Sequence, residues 1–298
     1  MIAFAAVVLC FGGVSAWLIG GALVAPANRS VGPPPKGLPV ESLILSGESD
    51  ARLSGWYMPA PDATSTVILL HPVRADRRAM LGRAKLLHDA GHCSLLIDLQ
   101  AHGESEGEQI TMGHRESRNV DAAIRWVRKR HPQHRIGVVG WSLGGAAALL
   151  AAPSDVDAMV IESVYPTIRE AVENRIEMRL GWMKRLLAPA LLVQLQPRLG
   201  VSPSELCPLD CIPNVNCPIL VACGDRDSHT PLEESLRMFR AAREPKQLVV
   251  FPGAHHEDLL RYEPDRYSRE VASFLNRHLR AESATSGDRS DAPAMADE

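Results

Sequence analysis

Apolar and polar positions follow two alternating patterns along the central part of the chain. Short, nearly continuous apolar runs predict buried strands, and six of them can be marked: TVILLHP, CSLLIDL, RIGVVGW, DAMVIES, CPILVACG and QLVVFPG. Between them, apolar residues recur at helical spacing in four stretches: 77–89, 116–130, 232–243 and 265–279. Strands that are apolar on both faces and alternate with helices predict an α/β fold, a mostly parallel central sheet with helices on both faces.

The segments that flank this pattern have different compositions. The stretch ESLILSGESDARLSGWYMPA predicts two antiparallel strands around a turn at 47–50. The domain is therefore expected to cover residues 40–280. Residues 28–39 are rich in proline and glycine and are expected to be a linker. Residues 281–298 are acidic and nearly free of large apolar side chains, so we expect a disordered tail.

The N-terminal segment, residues 1–27, has no charged side chain and is long enough to span a bilayer. It favours an uncleaved, single-pass membrane anchor. The alternative is a secretory signal removed after Ala27, which would leave a secreted protein, because Ala25 and Ala27 form an AxA-like pair. Small residues also recur at a spacing that can seat a partner helix: Gly12, Ala16 and Gly20.

Composition narrows the range of partners. The net charge is −3, with 32 basic and 35 acidic side chains, so there is no basic excess of the kind that nucleic-acid binding requires. The six cysteines form no pair of CxxC motifs, and we interpret them as buried free thiols, with a zinc or disulfide site at Cys207, Cys211 and Cys217 as the alternative. Three histidines could suggest a metal site, His71, His255 and His256, but no HxxxH or HxH spacing with a supporting acid cluster appears, so no metal is expected.

The candidate chemistry begins where the run RIGVVGW ends. Gly140, Trp141, Ser142, Leu143 and Gly144 form a GxSxG motif that leads directly into an Ala/Leu-rich helix. A turn this tight has no room for side chains two residues before or after the serine, which explains the glycines. The context is that of a nucleophile elbow, so Ser142 is the candidate nucleophile.

Together with this motif, residues 40–279 resemble the α/β-hydrolase superfamily, and most closely its serine aminopeptidase-like and acyl-thioesterase-like members. In that family the acid and then the histidine follow the serine along the chain. ILVACGDRDSHTP resembles the acid segment and VVFPGAHHEDLL resembles the histidine loop. The resemblance implies Asp227 as the acid rather than Asp225, and His256 as the base rather than His255.

Two further segments match the family. LLHPVRADRR stands where the family has its HG oxyanion loop, which implies the Val73 N–H as a second donor beside that of Leu143. Pro72 replaces the family's usual glycine there. DLQAHGESEGEQITMGHRESRNVDAAIRWV resembles a structural loop of the family. We therefore expect three of its polar residues to bond backbone groups rather than to catalyse: Asp98, His102 and Ser105.

The insertion at 163–216 resembles a small helical lid. Its apolar side chains would line an acyl pocket, face a membrane or simply pack on the core: Met178, Leu180, Trp182, Met183, Leu186, Leu187, Leu191 and Leu192.

The sequence as a whole predicts a serine hydrolase that cleaves an ester, thioester or amide through an acyl-enzyme, with no metal or organic cofactor. Its partners would be a small acyl-containing or peptide substrate and, through residues 1–27, a membrane. The alternatives are a noncatalytic α/β-hydrolase-like binding module at a membrane, and a membrane scaffold that acts through its anchor alone. The oligomeric state stays open.

Overall fold

The apolar runs of the sequence become strands of a central sheet in the structure, which is a computed structural model of the chain. It describes residues 2–47 and 51–280, with side chains from residue 12 onward. The strands in this part of the chain are β1 Ala27–Asn28, β2 Glu41–Ser46, β3 Arg52–Met58, β4 Ser65–Leu70, β5 Cys93–Ile97, β6 His102–Gly103, β7 Arg135–Trp141, β8 Ala158–Glu162, β9 Ile219–Gly224 and β10 Lys246–Phe251.

The sheet has the order β10-β9-β8-β7-β4-β5-β3-β2, and β1 pairs separately with β6. Neighbouring strands from β10 to β5 are parallel, whereas β3 is antiparallel to both β5 and β2. The predicted mostly parallel sheet, preceded by an antiparallel pair, is confirmed. Residues 48–50 of the predicted turn, and the predicted tail at 281–298, lie outside the described residues.

The described helices match the periodic stretches and add several short ones: α1 Ile2–Val24, α2 Leu81–Asp89, α3 His114–Arg130, α4 Leu143–Ala151, α5 Ile168–Leu180, α6 Lys184–Leu192, α7 Leu195–Leu199, α8 Pro208–Cys211, α9 Leu232–Ala241, α10 Leu259–Tyr262, α11 Pro264–Tyr267 and α12 Ser273–Leu279. Successive side chains of a strand point to opposite faces of its sheet. Val67 and Leu69 of β4 thus pack in one apolar cluster with α2 and α12. Ile68 and Leu70 pack in another with α3 and α4.

The predicted linker at 28–39 joins the domain at its beginning. Asn28 belongs to β1, and the N–H groups of Val31 and Gly32 donate to Glu104 Oε1 over 3.0 and 3.1 Å. The side chain of Val31 is buried. The packed part of the chain therefore begins before the predicted start at residue 40, because long-range hydrogen bonds satisfy the backbone of this proline- and glycine-rich segment.

Helix α1 packs against the lid of the same chain. Gln194 Nε2 donates to the carbonyl of Ala16 over 3.0 Å, and the Arg198 guanidinium lies 3.7 Å from the ring centroid of Trp17. A Cβ on Gly20 would lie only 2.2 Å from Gln194 Oε1, so this glycine allows the close approach. The small-residue face predicted to seat a partner helix therefore contacts a helical segment of its own chain at Ala16 and Gly20.

The membrane anchor predicted at 1–27 falls on α1. Within the described residues, no helix has both the length and the apolar character that crossing a membrane requires. The side chains of residues 1–11 of the predicted anchor lie outside that description.

The lid predicted at 163–216 is helical, with α5, α6, α7 and α8 in place of the two helical pieces that the sequence indicates. Its predicted apolar residues divide between surface and interior. Leu192 is buried, whereas Leu180, Trp182 and Leu186 are exposed. Part of the lid thus packs on the core, and part presents apolar side chains outward.

A buried ionic cluster supports the carboxyl end of β8. Arg83 Nε donates to Glu162 Oε1 over 3.1 Å and Arg83 Nη2 to Glu162 Oε2 over 2.5 Å. Tyr267 Oη also donates to Glu162 Oε1, over 2.5 Å, and Arg83 Nη1 lies 2.9 Å from Asp258 Oδ1. The backbone carbonyl of Glu162 accepts the N–H of Ser142 over 2.8 Å, so the cluster underlies the turn that carries this serine.

Replacing Arg83 tests the importance of this cluster. Arg83→Leu would leave the Glu162 carboxylate, which is 0% exposed, without its cation, and breaking a buried pair in this way costs about 3–5 kcal/mol. Denaturant unfolding should show that loss. In the matched control Arg240→Leu, the pair with Glu233 is more than 60% exposed on both sides, and the expected loss is below about 1 kcal/mol. Equal, small losses for the two variants would contradict this assignment.

Candidate active site

Ser142 stands at the turn between β7 and α4 in a strained backbone conformation. Its φ is 51° and its ψ is −112°, values that non-glycine residues adopt rarely. Its N–H donates to Glu162 and its carbonyl accepts the N–H of Ala146 over 3.0 Å, so both backbone groups are held. The turn directs the hydroxyl away from the strand at the carboxyl end of the sheet, where a cavity lies.

The glycines around Ser142 are required by the backbone that surrounds it. A Cβ on Gly140 would lie 2.5 Å from the Cα of Gly145, and one on Gly144 would lie 2.3 Å from the carbonyl oxygen of Leu70. Because both contacts are with backbone atoms, neither can be relieved by a side-chain rotation. The steric reason that the sequence gives for the GxSxG motif therefore holds in the structure.

Three residues from distant parts of the sequence meet at this turn. His256 Nε2 lies 3.2 Å from Ser142 Oγ, and His256 Nδ1 lies 2.7 Å from Asp227 Oδ2. Asp227 follows β9 and His256 follows β10, so parallel strands bring both loops to one edge of the sheet. In this arrangement the imidazole can accept the serine proton while the carboxylate orients it.

The Asp227 carboxylate is fixed by four hydrogen bonds. Besides His256, it accepts the N–H groups of His229 and Thr230 on Oδ1, over 2.8 and 2.9 Å, and the Thr230 hydroxyl on Oδ2, over 2.7 Å. Burial by itself would raise the pKa of Asp227, but the bonds from His256 and Thr230 outweigh it and lower the pKa to about 2. The carboxylate therefore stays ionised near neutral pH and can stabilise a histidinium.

The neighbours of these two residues have other contacts. Asp225 Oδ1 accepts the N–H of Gly253 over 2.6 Å, which ties the loop after β9 to the loop after β10. The N–H of His255 donates to Glu257 Oε1 over 3.0 Å, and its side chain is exposed. Among the described residues, neither Asp225 nor His255 hydrogen-bonds to Ser142 or His256. The hydrogen bonds that lead to Ser142 are thus made by Asp227 and His256 and not by their neighbours.

The two predicted oxyanion donors, Leu143 and Val73, line the same cavity as Ser142. Leu143 is the first residue of α4, so its N–H has no partner within the helix and lies at the positive end of the helix dipole. Val73 belongs to a turn that His71 supports: His71 Nδ1 bonds the Pro72 carbonyl over 2.8 Å, and its Nε2 accepts the Leu99 N–H over 3.0 Å. Burial lowers the pKa of His71 to about 3, so the ring is neutral in this role.

The polar residues of the 98–105 loop bond to backbone groups, as the sequence predicts. Asp98 Oδ1 accepts the N–H of Arg77 over 2.7 Å, and its Oδ2 accepts that of Glu104 over 2.9 Å. The Ser105 hydroxyl donates to the Asp98 carbonyl over 2.6 Å, and His102 Nδ1 bonds the Gln100 carbonyl over 2.9 Å. These contacts hold the loop together, and none of them involves Ser142.

His229 is a site residue that sequence reasoning missed. Its ring centroid lies 4.8 Å from that of His256, and it lines the cavity next to Ser142. Burial lowers its pKa. The available signal was its place two residues after the acid, in the loop DRDSHTP.

Within the described residues, one group of three side chains could hold a metal ion, and it consists of Asp227, His229 and His256. Every Asp227 oxygen already accepts hydrogen bonds, and His256 Nδ1 faces Asp227. The arrangement therefore suits proton transfer better than metal binding. The described cysteines are free thiols, and none belongs to such a group.

The cavity beside Ser142 has a volume of about 320 Å³ and a largely apolar wall. Its apolar lining residues include Leu23, Met112, Tyr165, Ile168, Val172 and Met178. Leu23 belongs to α1, the predicted anchor, and the lid helix α5 supplies three of the others. Arg74 holds the end of α1 in place, because its Nη2 donates to the carbonyls of Ala22 and Leu23 over 2.5 and 3.3 Å.

The parallel sheet, the strained serine turn and the two loops that carry acid and histidine define the α/β-hydrolase fold. Residues 67–271 match the model of the "Alpha/beta hydrolase family". The chain belongs to this family and is an enzyme of the hydrolase class.

The chain is also similar to proteins of known sequence and to solved structures over most of its length. The Mycobacterium tuberculosis protein Rv2307c is 29% identical over 240 residues, which cover 77% of this chain and 78% of that protein. The Bacillus subtilis protein YqkD is 24% identical over 230 residues, 75% of each chain. Among solved structures, the Pyrococcus furiosus esterase Pf2001 superimposes with a TM-score of 0.71 at 22% identity, covering 86% of this chain and 100% of that one.

Proposed function

We propose that this chain is a serine hydrolase that cleaves a carboxylic ester through an acyl-enzyme, with Ser142, His256 and Asp227 as its catalytic triad. The observation that carries the proposal is the continuous hydrogen-bonded series from Ser142 Oγ to His256 Nε2 and from His256 Nδ1 to Asp227 Oδ2. Family membership supports hydrolysis, and the likeness to the Pyrococcus furiosus esterase favours an ester over a thioester or an amide.

In the proposed cycle, His256 takes the proton of Ser142 as the oxygen attacks the acyl carbon. The carbonyl oxygen of the substrate becomes negative and accepts the N–H of Leu143, with the N–H of Val73 as the second donor. His256 then gives its proton to the leaving alcohol, and the serine ester remains. Water, deprotonated by the same histidine, releases the acid and restores the Ser142 hydroxyl.

A noncatalytic binding module remains the second candidate. A binding role alone would not require a strained serine, a buried ionised aspartate and a histidine aligned between them. The strain at Ser142 opposes stability, and strained residues occur beside buried ionised groups such as Asp227 where chemistry uses them. The complete arrangement therefore favours an enzyme.

Matched substitutions within each pair of neighbours test the triad. Asp227→Asn should lower kcat for a p-nitrophenyl ester by about 10⁴-fold, as expected when a triad loses its acid. His256→Ala should lower it by about 10⁶-fold, because the serine loses its base. The controls Asp225→Asn and His255→Ala, at positions outside the series, should keep most of the activity. Severe losses in the controls with mild ones at 227 and 256 would contradict the assignment.

We propose further that residues 1–27 stay on the mature protein and associate it with a membrane. Val14, Trp17 and Leu18 of α1 are 60%, 47% and 67% exposed, so this helix presents apolar side chains outward. Retention is favoured over signal cleavage because removal after Ala27 would take Leu23 from the wall of the cavity.

Fractionation and intact mass test this second proposal. The protein from its own cells should sediment with membranes, and its mass should include residues 1–27. As a control, a variant that begins at Asn28 lacks Leu23 and should be recovered from the soluble fraction. A mature N-terminus at Asn28 would contradict the proposal.

A further inference from the structure

The cavity beside Ser142 has an unbalanced charge. Its described lining includes three arginines, Arg74, Arg175 and Arg179, and no acidic side chain. A pocket for an uncharged acyl chain has no need of cations in its wall. The question is which of these arginines is already engaged by the protein.

Arg74 and Arg179 can be set aside. The Arg74 guanidinium donates to the carbonyls at the end of α1, and the Arg179 side chain lies in an exposed position at the rim. Arg175, one turn earlier on α5, is partly buried. Its Nη1 donates to the Ala171 carbonyl over 2.8 Å, and Arg175 takes part in none of the ion pairs found within 4.0 Å among the described residues. Its remaining N–H groups are left for a ligand in the cavity.

The acids nearest to Arg175 are committed elsewhere. The charges of Asp227 and Glu234 both act on Arg175, but Asp227 is bonded to His256 and Thr230. Glu234 Oε1 accepts the Asn174 amide over 2.6 Å, and burial raises the pKa of Glu234 to about 7, so much of it is uncharged near neutral pH. Neither acid neutralises the guanidinium by direct contact.

A partly buried cation without a counterion is costly to keep in a folded protein, and here burial lowers the pKa of Arg175. Arginine stays charged in spite of such a shift. Its planar fork of N–H groups fits the paired oxygens of a carboxylate or a phosphate. The missing partner is therefore best supplied by the molecule that enters the cavity.

We propose that Arg175 binds an anionic group of the substrate, a carboxylate or a phosphate, while the ester carbonyl lies at Ser142. The substrate class is then an acidic ester rather than a neutral one. This inference rests on the proposed ester hydrolysis. Arg175 acts as a residue that determines specificity, and the bond-breaking steps stay with Ser142 and His256.

Paired substrates of equal length test the inference. p-Nitrophenyl hemiglutarate carries a carboxylate where p-nitrophenyl pentanoate carries a methyl group, and the wild-type enzyme should show the higher kcat/KM for hemiglutarate. In Arg175→Gln, the ratio of the two kcat/KM values should fall by about 10- to 100-fold, the size expected for loss of a charged hydrogen bond. Arg175→Lys, which keeps the charge, should recover part of that ratio.

The matched control is Arg169→Gln, which removes the same charge from the same helix. The Arg169 side chain is 58% exposed and lies 3.8 Å from Glu173, outside the cavity lining. It should leave the ratio at its wild-type value. An equal fall in both variants would show a general effect of charge and would overturn the subsite.

A second measurement does not depend on turnover of an acidic ester. A neutral fluorophosphonate should label Ser142 more slowly when glutarate or inorganic phosphate occupies the cavity, and Arg175→Gln should lose this protection. Protection by glutarate alone identifies a carboxylate subsite, and protection by phosphate alone identifies a phosphate subsite. If the neutral ester is hydrolysed but neither anion protects and no preference exists, the inference fails while the proposed function stands. If no ester is hydrolysed and no label attaches, the proposed function fails first.

Discussion

The conformation of Ser142 is the constraint on which the rest of this structure depends. A residue with a side chain is held at φ 51° because hydrogen bonds fix its N–H and carbonyl, and because glycines leave room for the backbone on both sides. A single added Cβ at Gly140 or Gly144 would collide with backbone atoms. In the sheet β7 lies between β4 and β8. Each of these neighbours supplies a backbone carbonyl that borders the turn, Leu70 from β4 and Glu162 from β8.

The same constraint links stability to chemistry. The Glu162 carbonyl that accepts the Ser142 N–H belongs to a residue whose carboxylate is buried with Arg83 and Tyr267. Arg83 also contacts Asp258, two residues after His256. One ionic cluster thus underlies both the Ser142 turn and the His256 loop. This arrangement fixes the serine and the histidine relative to each other, which is what a proton transfer over hydrogen-bond distance needs.

The sequence predicted the parallel sheet and the serine turn because each has a local signature, whereas the choice of Asp227 and His256 came from the resemblance to the family. Apolar runs mark strands, and the small residues of GxSxG mark a turn that excludes side chains. The contacts of α1 had no such signature. Arg74 meets Ala22, and Gln194 meets Ala16, across long stretches of sequence. An apolar N-terminal segment looks the same in sequence whether it lies in a membrane or also forms a cavity wall through Leu23. His229 was not predicted because the family motif specifies the acid, Asp227, and not the residue two positions after it.

The central claim is that Ser142 is a nucleophile activated by its surroundings, and covalent labelling tests it most directly. The full-length protein should react with a fluorophosphonate to give one adduct by intact mass, and peptide mapping should place that adduct on Ser142. The Ser142→Ala variant, folded to the same extent by circular dichroism, should give none. A folded wild-type protein that forms no adduct, or an adduct of equal yield in the Ser142→Ala variant, would contradict the account.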